Sequence, residues 1–162
     1  MNIFFPKEQD NETRFSLTGE TAQKFLKKNI NLSIQENINL QDALLEKLIE
    51  ENSINIVSRE EGLKSANIIC NLNKLSFDDI AKINPDTLAI SFLDPFNEKQ
   101  LIEEFRKKSI SSISMELIPR TTRAQKMDAL SSQANLAGYS AVIIASNFCL
   151  LYTSDAADEH SC

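Results

Sequence analysis

The sequence predicts an α/β fold: a doubly wound, mostly parallel sheet with helices on both faces and a long C-terminal helix. Strand-like and helical segments alternate about five times along the chain. The connections between successive strands are too long for hairpins, so the strands pair in parallel through right-handed crossovers. Residues 66–72 and 87–93 are almost continuously apolar, as strands covered on both faces must be.

Composition is that of a globular protein and excludes several classes of function. The 162 residues are 42% hydrophobic and 25% charged, which suffices for one domain with its own core. The net charge of −6 offers no basic surface for nucleic acid. No apolar run approaches the roughly 20 residues of a membrane helix. The three cysteines lack metal-binding or redox spacing, so we predict no metal site and a reducing cytoplasm.

The last residues are predicted to lie outside the domain. Residues 149–159 read CLLYTSDAADE, which resembles the translated adapter of transposase-made sequencing libraries. We therefore expect a domain at 1–148 and a non-native tail at 149–162, with a true C-terminus as the alternative. The single histidine, His160, falls in that tail, so the domain offers no histidine as acid, base or metal ligand.

The first elements follow from local signals. Residues 1–5 form a buried first strand that ends at Pro6, and Thr18 can cap the helix that begins near Glu20. The core side of this helix carries Ala22, Phe25 and Leu26. Further strands are predicted at 30–34, 54–57, 66–72, 87–93 and 110–115.

The helices between these strands are recognised by apolar residues at helical spacing. They are predicted at 41–51, at 60–65 as a single turn, after the cap Ser76, and at 97–108. Their apolar residues are Leu44, Leu45 and Leu48, then Phe77, Ile80 and Ile83, then Leu101, Ile102 and Phe105. Cys70, in the strand 66–72, is predicted to be a small core residue.

A loop with two arginines and a long helix follow the last strand. Pro119 keeps the strand from continuing into a helix, so Arg120 and Arg123 lie in a connection. A helical pattern begins near Ala124. Its apolar face carries Met127, Leu130, Ala134, Ala137, Ala141 and Ile144. Its polar face carries Gln125, Asp128, Ser132 and Asn135, with Ser131 at the margin.

These short polar side chains, placed behind two guanidinium groups, suit a polar ligand held close to the backbone. Arginine binds carbonyl or phosphate oxygens, while carboxylate, amide and hydroxyl groups bind amides and hydroxyls. The alternative is an ordinary amphipathic helix whose polar side happens to be small.

Two segments resemble one enzyme family. The run PRTTRAQKMDALSSQANLAGY, residues 119–139, resembles the signature of the NAD-binding alpha subunit of proton-translocating NAD(P) transhydrogenases. The run PKEQDNETRFSLT, residues 6–18, resembles the opening of the same family. That family shares its fold with alanine dehydrogenase, so the resemblance implies the flavodoxin-like half of a two-domain dehydrogenase.

The resemblance also implies a function. Alpha subunits of this family bind NADH between two domains and pass a hydride to NADP held by the beta subunit, coupled to proton translocation. The family's cofactor-binding positions fall on Arg120, Gln125, Asp128 and Ser131. None of them is expected to be catalytic, because hydride transfer between two nicotinamides needs positioning rather than an acid or a base.

Partners and location are implied in the same way. The expected partners are the beta subunit, the membrane domain and a second alpha subunit in a homodimer, at the cytoplasmic face of the membrane. The sequence has three glycines and no G-x-G-x-x-G motif. We therefore expect a chain truncated before the family's second, Gly-rich domain, and inactive by itself.

Departures from the wider family bear on the alternatives. Alanine dehydrogenases bind the substrate carboxylate with an arginine at Arg14, and they place a lysine near Asn71 and a histidine after the strand 87–93, where Asp94 stands here. Arg14 can instead form an ion pair with Glu8 or Glu12. The alternatives are an alanine dehydrogenase-like amino-acid oxidoreductase or a non-enzymatic module that retains the fold.

Overall fold

The structure, a computed structural model that describes residues 1–9 and 12–148, contains one six-stranded sheet. The strands are β1 (Asn2–Phe5), β2 (Asn31–Gln35), β3 (Asn55–Val57), β4 (Ile68–Cys70), β5 (Leu88–Ser91) and β6 (Ser111–Ser114). They lie in the order β3-β2-β1-β4-β5-β6, and every neighbouring pair is parallel. The doubly wound, parallel prediction is confirmed, in the six-stranded order of dinucleotide-binding sheets rather than that of flavodoxin itself.

Five helices connect successive strands, and a sixth follows the sheet. They are α1 (Gly19–Leu26), α2 (Ala43–Glu50), α3 (Arg59–Ser65), α4 (Phe77–Lys82), α5 (Lys99–Lys107) and α6 (Ala129–Phe148). Each of the first five overlaps the helix predicted from apolar spacing, and their ends differ by one to a few residues. Such differences are normal because helix ends fray.

The core lies on both faces of the sheet, as two clusters. Alternate residues of β1 point to opposite faces, so Phe4 enters one cluster while Ile3 and Phe5 enter the other. The Phe4 cluster takes side chains from α3, α4 and α5, and the Phe5 cluster takes them from α1 and α2. This arrangement confirms helices on both faces.

Several predicted core residues are less buried than expected. Ala22, Leu45 and Leu48 are buried, whereas Phe77 is 53% exposed. Phe77 opens the short α4, where a single turn of helix covers only the later Ile80. Cys70 is half-buried against the Phe5 cluster, and burial raises the pKa of its thiol to about 11. The remaining partly buried residues are Phe25, Leu26, Leu44 and Ile102.

Side-chain caps fix several helix starts as predicted. The hydroxyl of Thr18 accepts a hydrogen bond from the Thr21 backbone N–H, and Ser76 forms a capping box with Asp79. Both caps follow from short sequence patterns, because the partner lies three residues away. Asp42 caps α2 in the same manner, accepting from two backbone N–H groups.

The chain divides into two compact units. The first, Met1–Leu117, holds all six strands and the helices α1 to α5, and the second begins at Ile118 and contains α6. The predicted tail, residues 149–162, lies outside the described residues. Within residues 1–9 and 12–148, no helix combines the length and apolarity needed to cross a membrane.

The last helix begins later than predicted. Gln125–Met127 forms a short 3-10 turn, Asp128 leaves helical geometry at φ −76° and ψ 88°, and α6 starts at Ala129. The prediction of a start near Ala124 is therefore wrong by about one turn, because Asp128 acts as a cap. The apolar side of α6 is exposed in this structure, with Leu130 at 37% and Ile144 at 55%.

Candidate functional site

The four predicted cofactor-binding residues all lie in the second unit, between the loop at Pro119 and the first turn of α6. Arg120 is in the loop, Gln125 opens the 3-10 turn, Asp128 precedes α6 and Ser131 lies in its first turn. Arg120, Gln125 and Ser131 are exposed, and Asp128 is half-buried. All four are thus close in sequence and open to solvent.

Backbone hydrogen bonds shape the loop that carries these residues. Ala124 N donates to Thr121 O at 2.9 Å, and Met127 N donates to Ala124 O at 2.8 Å. Asp128 N then donates to Gln125 O at 3.3 Å. Consecutive tight turns of this kind compress the chain, so Arg120 approaches Asp128 although eight residues separate them.

Asp128 and Ser131 are joined directly. Ser131 N donates to Asp128 Oδ1 at 3.0 Å, and Ser131 Oγ donates to Asp128 Oδ2 at 2.6 Å. These two bonds, together with the positive charge of Arg120, lower the pKa of Asp128 below its ordinary value. The carboxylate is therefore ionised at neutral pH, where it accepts hydrogen bonds and does not serve as a general base.

The structure brings Arg120, Asp128 and Ser131 into one electrostatic group, while it ties Gln125 to Asp128 through its backbone carbonyl. Together they present a guanidinium, a carboxylate, a hydroxyl and an amide on an exposed segment. This set can bind a ligand through hydrogen bonds of both directions. Across the described ranges, no cluster of three or more His, Cys, Asp or Glu side chains is arranged to hold a metal ion.

Arg14 forms the ion pair that the sequence left open between two carboxylates. Its guanidinium donates to Glu12 through Nε at 2.9 Å and through Nη2 at 2.6 Å. The side-chain hydrogen bond from Arg14 is the main reason that the pKa of Glu12 falls to about 2. Glu12, rather than Glu8, is thus its ion-pair partner.

Comparison with known proteins decides the family. The family model described as "Alanine dehydrogenase/PNT, N-terminal domain" matches residues 4–137. The chain belongs to this family. The match covers the whole sheet, the helices α1 to α5 and the loop that carries Arg120.

Curated relatives of this alanine dehydrogenase/PNT N-terminal domain are named as transhydrogenase subunits. A protein of Rickettsia prowazekii, named as the first portion of NAD(P) transhydrogenase subunit alpha, is 34% identical over 90% of the chain. "NAD(P) transhydrogenase subunit alpha" of Haemophilus influenzae is 30% identical over 91%. The chain spans 40% of the length of the first relative and 29% of the second.

Solved structures agree with the family. A transhydrogenase from Sinorhizobium meliloti aligns with 91% of the chain and 44% of its own chain, at a TM-score of 0.81 and 30% identity. An L-alanine dehydrogenase aligns with 76% of the chain and 34% of its own, at a TM-score of 0.67. At 17% identity, the second likeness shows a shared fold and no more.

Sequence reasoning missed how this family domain secures the carboxyl ends of its strands. Glu8 follows β1, and its carboxylate accepts from Leu72 N at 2.6 Å and from Asn73 N at 3.0 Å. Arg59 follows β3 and donates through Nε and Nη2 to both oxygens of Asp79, each at 2.8 Å. The Glu8 and Arg59 contacts join segments 64 and 20 residues apart, so no local pattern reveals them.

The positions where alanine dehydrogenases hold a lysine and a histidine are occupied differently. Asn71 is buried, and its amide donates to Asn73 O. Asp94 has a positive φ of 51° and accepts from Asn97 Nδ2. Lys74 bonds Glu98 at 2.7 Å and lies 3.8 Å from Asp94. These contacts fix the loops after β4 and β5, and they supply no imidazole.

Proposed function

We propose that this chain is part of the NAD(H)-binding alpha subunit of a proton-translocating NAD(P) transhydrogenase. The complete enzyme would transfer a hydride from NADH to NADP and couple that transfer to proton translocation. The observation that carries the proposal is the 34% identity over 90% of the chain to a protein named as such a subunit. Because the chain spans 40% of that relative, we expect it to be inactive by itself.

The proposed cofactor contacts are Arg120, Gln125, Asp128 and Ser131. A nicotinamide carboxamide has one acceptor oxygen and two N–H donors. The exposed Arg120 guanidinium can donate to the oxygen, and the ionised Asp128 can accept an N–H. A carboxylate has about four acceptor sites, and Ser131 occupies two of them, so capacity remains for a ligand.

These residues would act by orientation. When bound, the nicotinamide ring carries the hydride, and the protein's role is to hold that ring at the angle and distance that transfer requires. Asp128, held in place by Ser131 at 2.6 Å, is a rigid acceptor, because its carboxylate is bonded at both oxygens. A rigid acceptor would set the rotation of the carboxamide and of the ring attached to it.

Partners and location complete the proposal. The complete alpha subunit would pair with a second copy of itself, with a beta subunit that holds NADP, and with a membrane domain. It would lie at the cytoplasmic face of the membrane as a peripheral component. The basis is the name of the relatives, which describes an alpha subunit and therefore an assembly with other subunits.

An alanine dehydrogenase activity is disfavoured by the residues that would bind the substrate. Asn71 stands at the lysine position, Asp94 at the histidine position, and Arg14 is engaged by Glu12 at 2.6 Å. A buried neutral amide and an acidic group give no cationic partner for a substrate carboxylate.

The test is an assay of the complete alpha subunit with its partner subunits. We expect NADH-dependent reduction of NADP or of an NADP analogue, and no reduction of NAD when L-alanine is supplied. Reduction of NAD that depends on L-alanine would overturn the proposal. So would an assembled, NADH-binding complex that exchanges no hydride with NADP.

A further inference from the structure

Three buried oxygen atoms form one row across the sheet. Asn71 Oδ1, Ser91 Oγ and Ser114 Oγ have no hydrogen-bond partner among the protein atoms of the described chain. Asn71 is 6% exposed and Ser91 is fully buried. Buried polar groups in folded proteins are almost always paired, with protein or with ordered water. Three such atoms side by side therefore point to a shared partner.

Strand register places the three residues beside one another. Ser91 and Ser114, the last residues of β5 and β6, are direct register partners. Asn71 follows β4, and its backbone N donates to Ile90 O at 3.1 Å, which extends the ladder one residue past the Cys70–Ile90 pair. Side chains in register on neighbouring strands point to the same face.

The row lies on the face of the Phe4 cluster. Ile69 and Ala89, two residues before Asn71 and Ser91, belong to that cluster. Because side chains alternate along a strand, residues two apart share a face. The row thus marks the place where the apolar core gives way to polar groups at the carboxyl ends of the strands.

Spacing favours a bridge over a direct bond. Neighbouring strands lie about 4.8 Å apart, which is too far for a hydroxyl–hydroxyl hydrogen bond. One water molecule spans oxygens separated by up to about 5.5 Å, since each O–H···O bond measures about 2.8 Å. No charged side chain belongs to the row, so an uncharged partner fits it.

The loops above the row are joined to one another. Lys74, in the loop after β4, bonds Glu98 after β5 at 2.7 Å. Glu116, after β6, accepts from Leu93 N at 3.4 Å. These contacts tie all three loops together at the edge where the row lies, which favours a partner of the size of water over a larger molecule.

We propose that Asn71, Ser91 and Ser114 form a binding site for ordered water. One water bridges Ser91 Oγ and Ser114 Oγ, and another reaches Asn71 Oδ1. The waters fasten the carboxyl ends of β4, β5 and β6 to one another beneath the charged contacts of Lys74 and Glu116. This site is separate from the proposed cofactor contacts and does not depend on the proposed function.

The test combines a crystal structure of the wild-type chain with thermal unfolding of variants. We expect a solvent peak within hydrogen-bonding distance of both Ser91 Oγ and Ser114 Oγ. Ser91→Ala and Ser114→Ala should each lower the unfolding midpoint by about 3 °C, because each leaves the water and its other partner underbonded. The double variant should lose less than the sum of the two single losses.

Ser112→Ala is the matched control, since Ser112 is exposed on the same strand and should leave the midpoint unchanged. Single variants that raise the midpoint or leave it unchanged would overturn the proposal, because removing an unpaired buried hydroxyl stabilises a protein. Additive losses in the double variant would overturn the bridge. A dry row, or an organic molecule in its place, would overturn the water site in the wild-type crystal, whose outcome does not depend on how the variants fold.

Discussion

At the scale of single residues, Asp79 joins distant segments of the sheet through one carboxylate. Arg59 donates to both of its oxygens at 2.8 Å, and Gln9 Nε2 and Ser76 N donate to Oδ2, each at 3.2 Å. The other Arg59 nitrogen donates to Lys7 O and to Gln35 Oε1, each at 3.0 Å. The segments after β1, β2 and β3 are therefore fastened to α4.

Asp79→Asn should destabilise the chain at neutral pH by about 2 kcal/mol. This is less than the roughly 3–5 kcal/mol for a fully buried pair, because the Arg59 side chain is 25% exposed. The measurement is the free energy of unfolding in urea. Asp78→Asn is the control, because Asp78 is exposed in the same helical turn and should change stability by less than about 0.5 kcal/mol.

The difference between wild type and Asp79→Asn should depend on pH. Burial alone would raise the pKa of Asp79, but the hydrogen bonds from Arg59 and Ser76 and the charge of Arg59 lower it below the ordinary 3.8. A lowered native-state pKa contributes stability above the unfolded-state pKa and loses it as pH falls. The difference should shrink below pH 3.8; a difference that persists unchanged under acid would contradict the ion pair.

The sequence predicts residue roles only where the partner is local. Thr18 and Ser76 are recognisable as caps because each bonds a backbone N–H three residues ahead. The pairing of Arg59 with Asp79 depends on the order of the strands, and no pattern around either residue indicates it. Asn71 stands out in the sequence for the lysine that it replaces, yet its unpaired buried oxygen appears only once β4 is placed beside β5.

At the scale of elements, two helical glycines have opposite surroundings. A Cβ on Gly62, in α3, would lie 2.2 Å from the ring of Phe4, which is fully buried in the sheet. A Cβ on Gly138, in α6, would meet no atom within 4 Å. The first glycine allows α3 to lie against β1, while the second serves no packing role within the described residues.

Gly62→Ala and Gly138→Ala should therefore act in opposite directions. Gly62→Ala should lower the free energy of unfolding by about 3 kcal/mol, because Phe4 has no room to move. Gly138→Ala should stabilise α6 by about 1 kcal/mol, the difference in helix propensity. Urea unfolding and the helical circular dichroism signal on heating measure these effects. Equal effects of the two substitutions would show that the close approach of α3 to β1 is wrong.

Strands are easier to predict than the last helix. The strands 66–72 and 87–93 are recognisable because apolar runs of that length are typical of a central parallel sheet. The start of α6 is missed because helical periodicity continues through Gln125–Met127 while Asp128 breaks the helix and caps the next one. A pattern of apolar residues reports which side chains share a face and does not report where a short polar side chain competes for the backbone.

At the scale of the whole molecule, the fold follows from the sequence but the function depends on similarity. The alternation of strands and helices predicts a parallel sheet covered on both faces, and the structure confirms it. The strand order does not follow, because it depends on which crossovers turn to which side. The proposed cofactor contacts rest on the motif at 119–139, and the geometry adds that Arg120, Asp128 and Ser131 form one group.

The central claim is that Asp128 orients a nicotinamide, which is a property of the complete alpha subunit with its partners. The most direct measurement is the rate of hydride transfer from NADH to NADP in that complex carrying Asp128→Asn. We predict a rate about 10- to 100-fold lower with unchanged thermal stability, and a normal rate for the control Ser132→Ala, whose hydroxyl bonds Ala129 O at 3.1 Å. Wild-type turnover by Asp128→Asn with normal NADH affinity would contradict the claim.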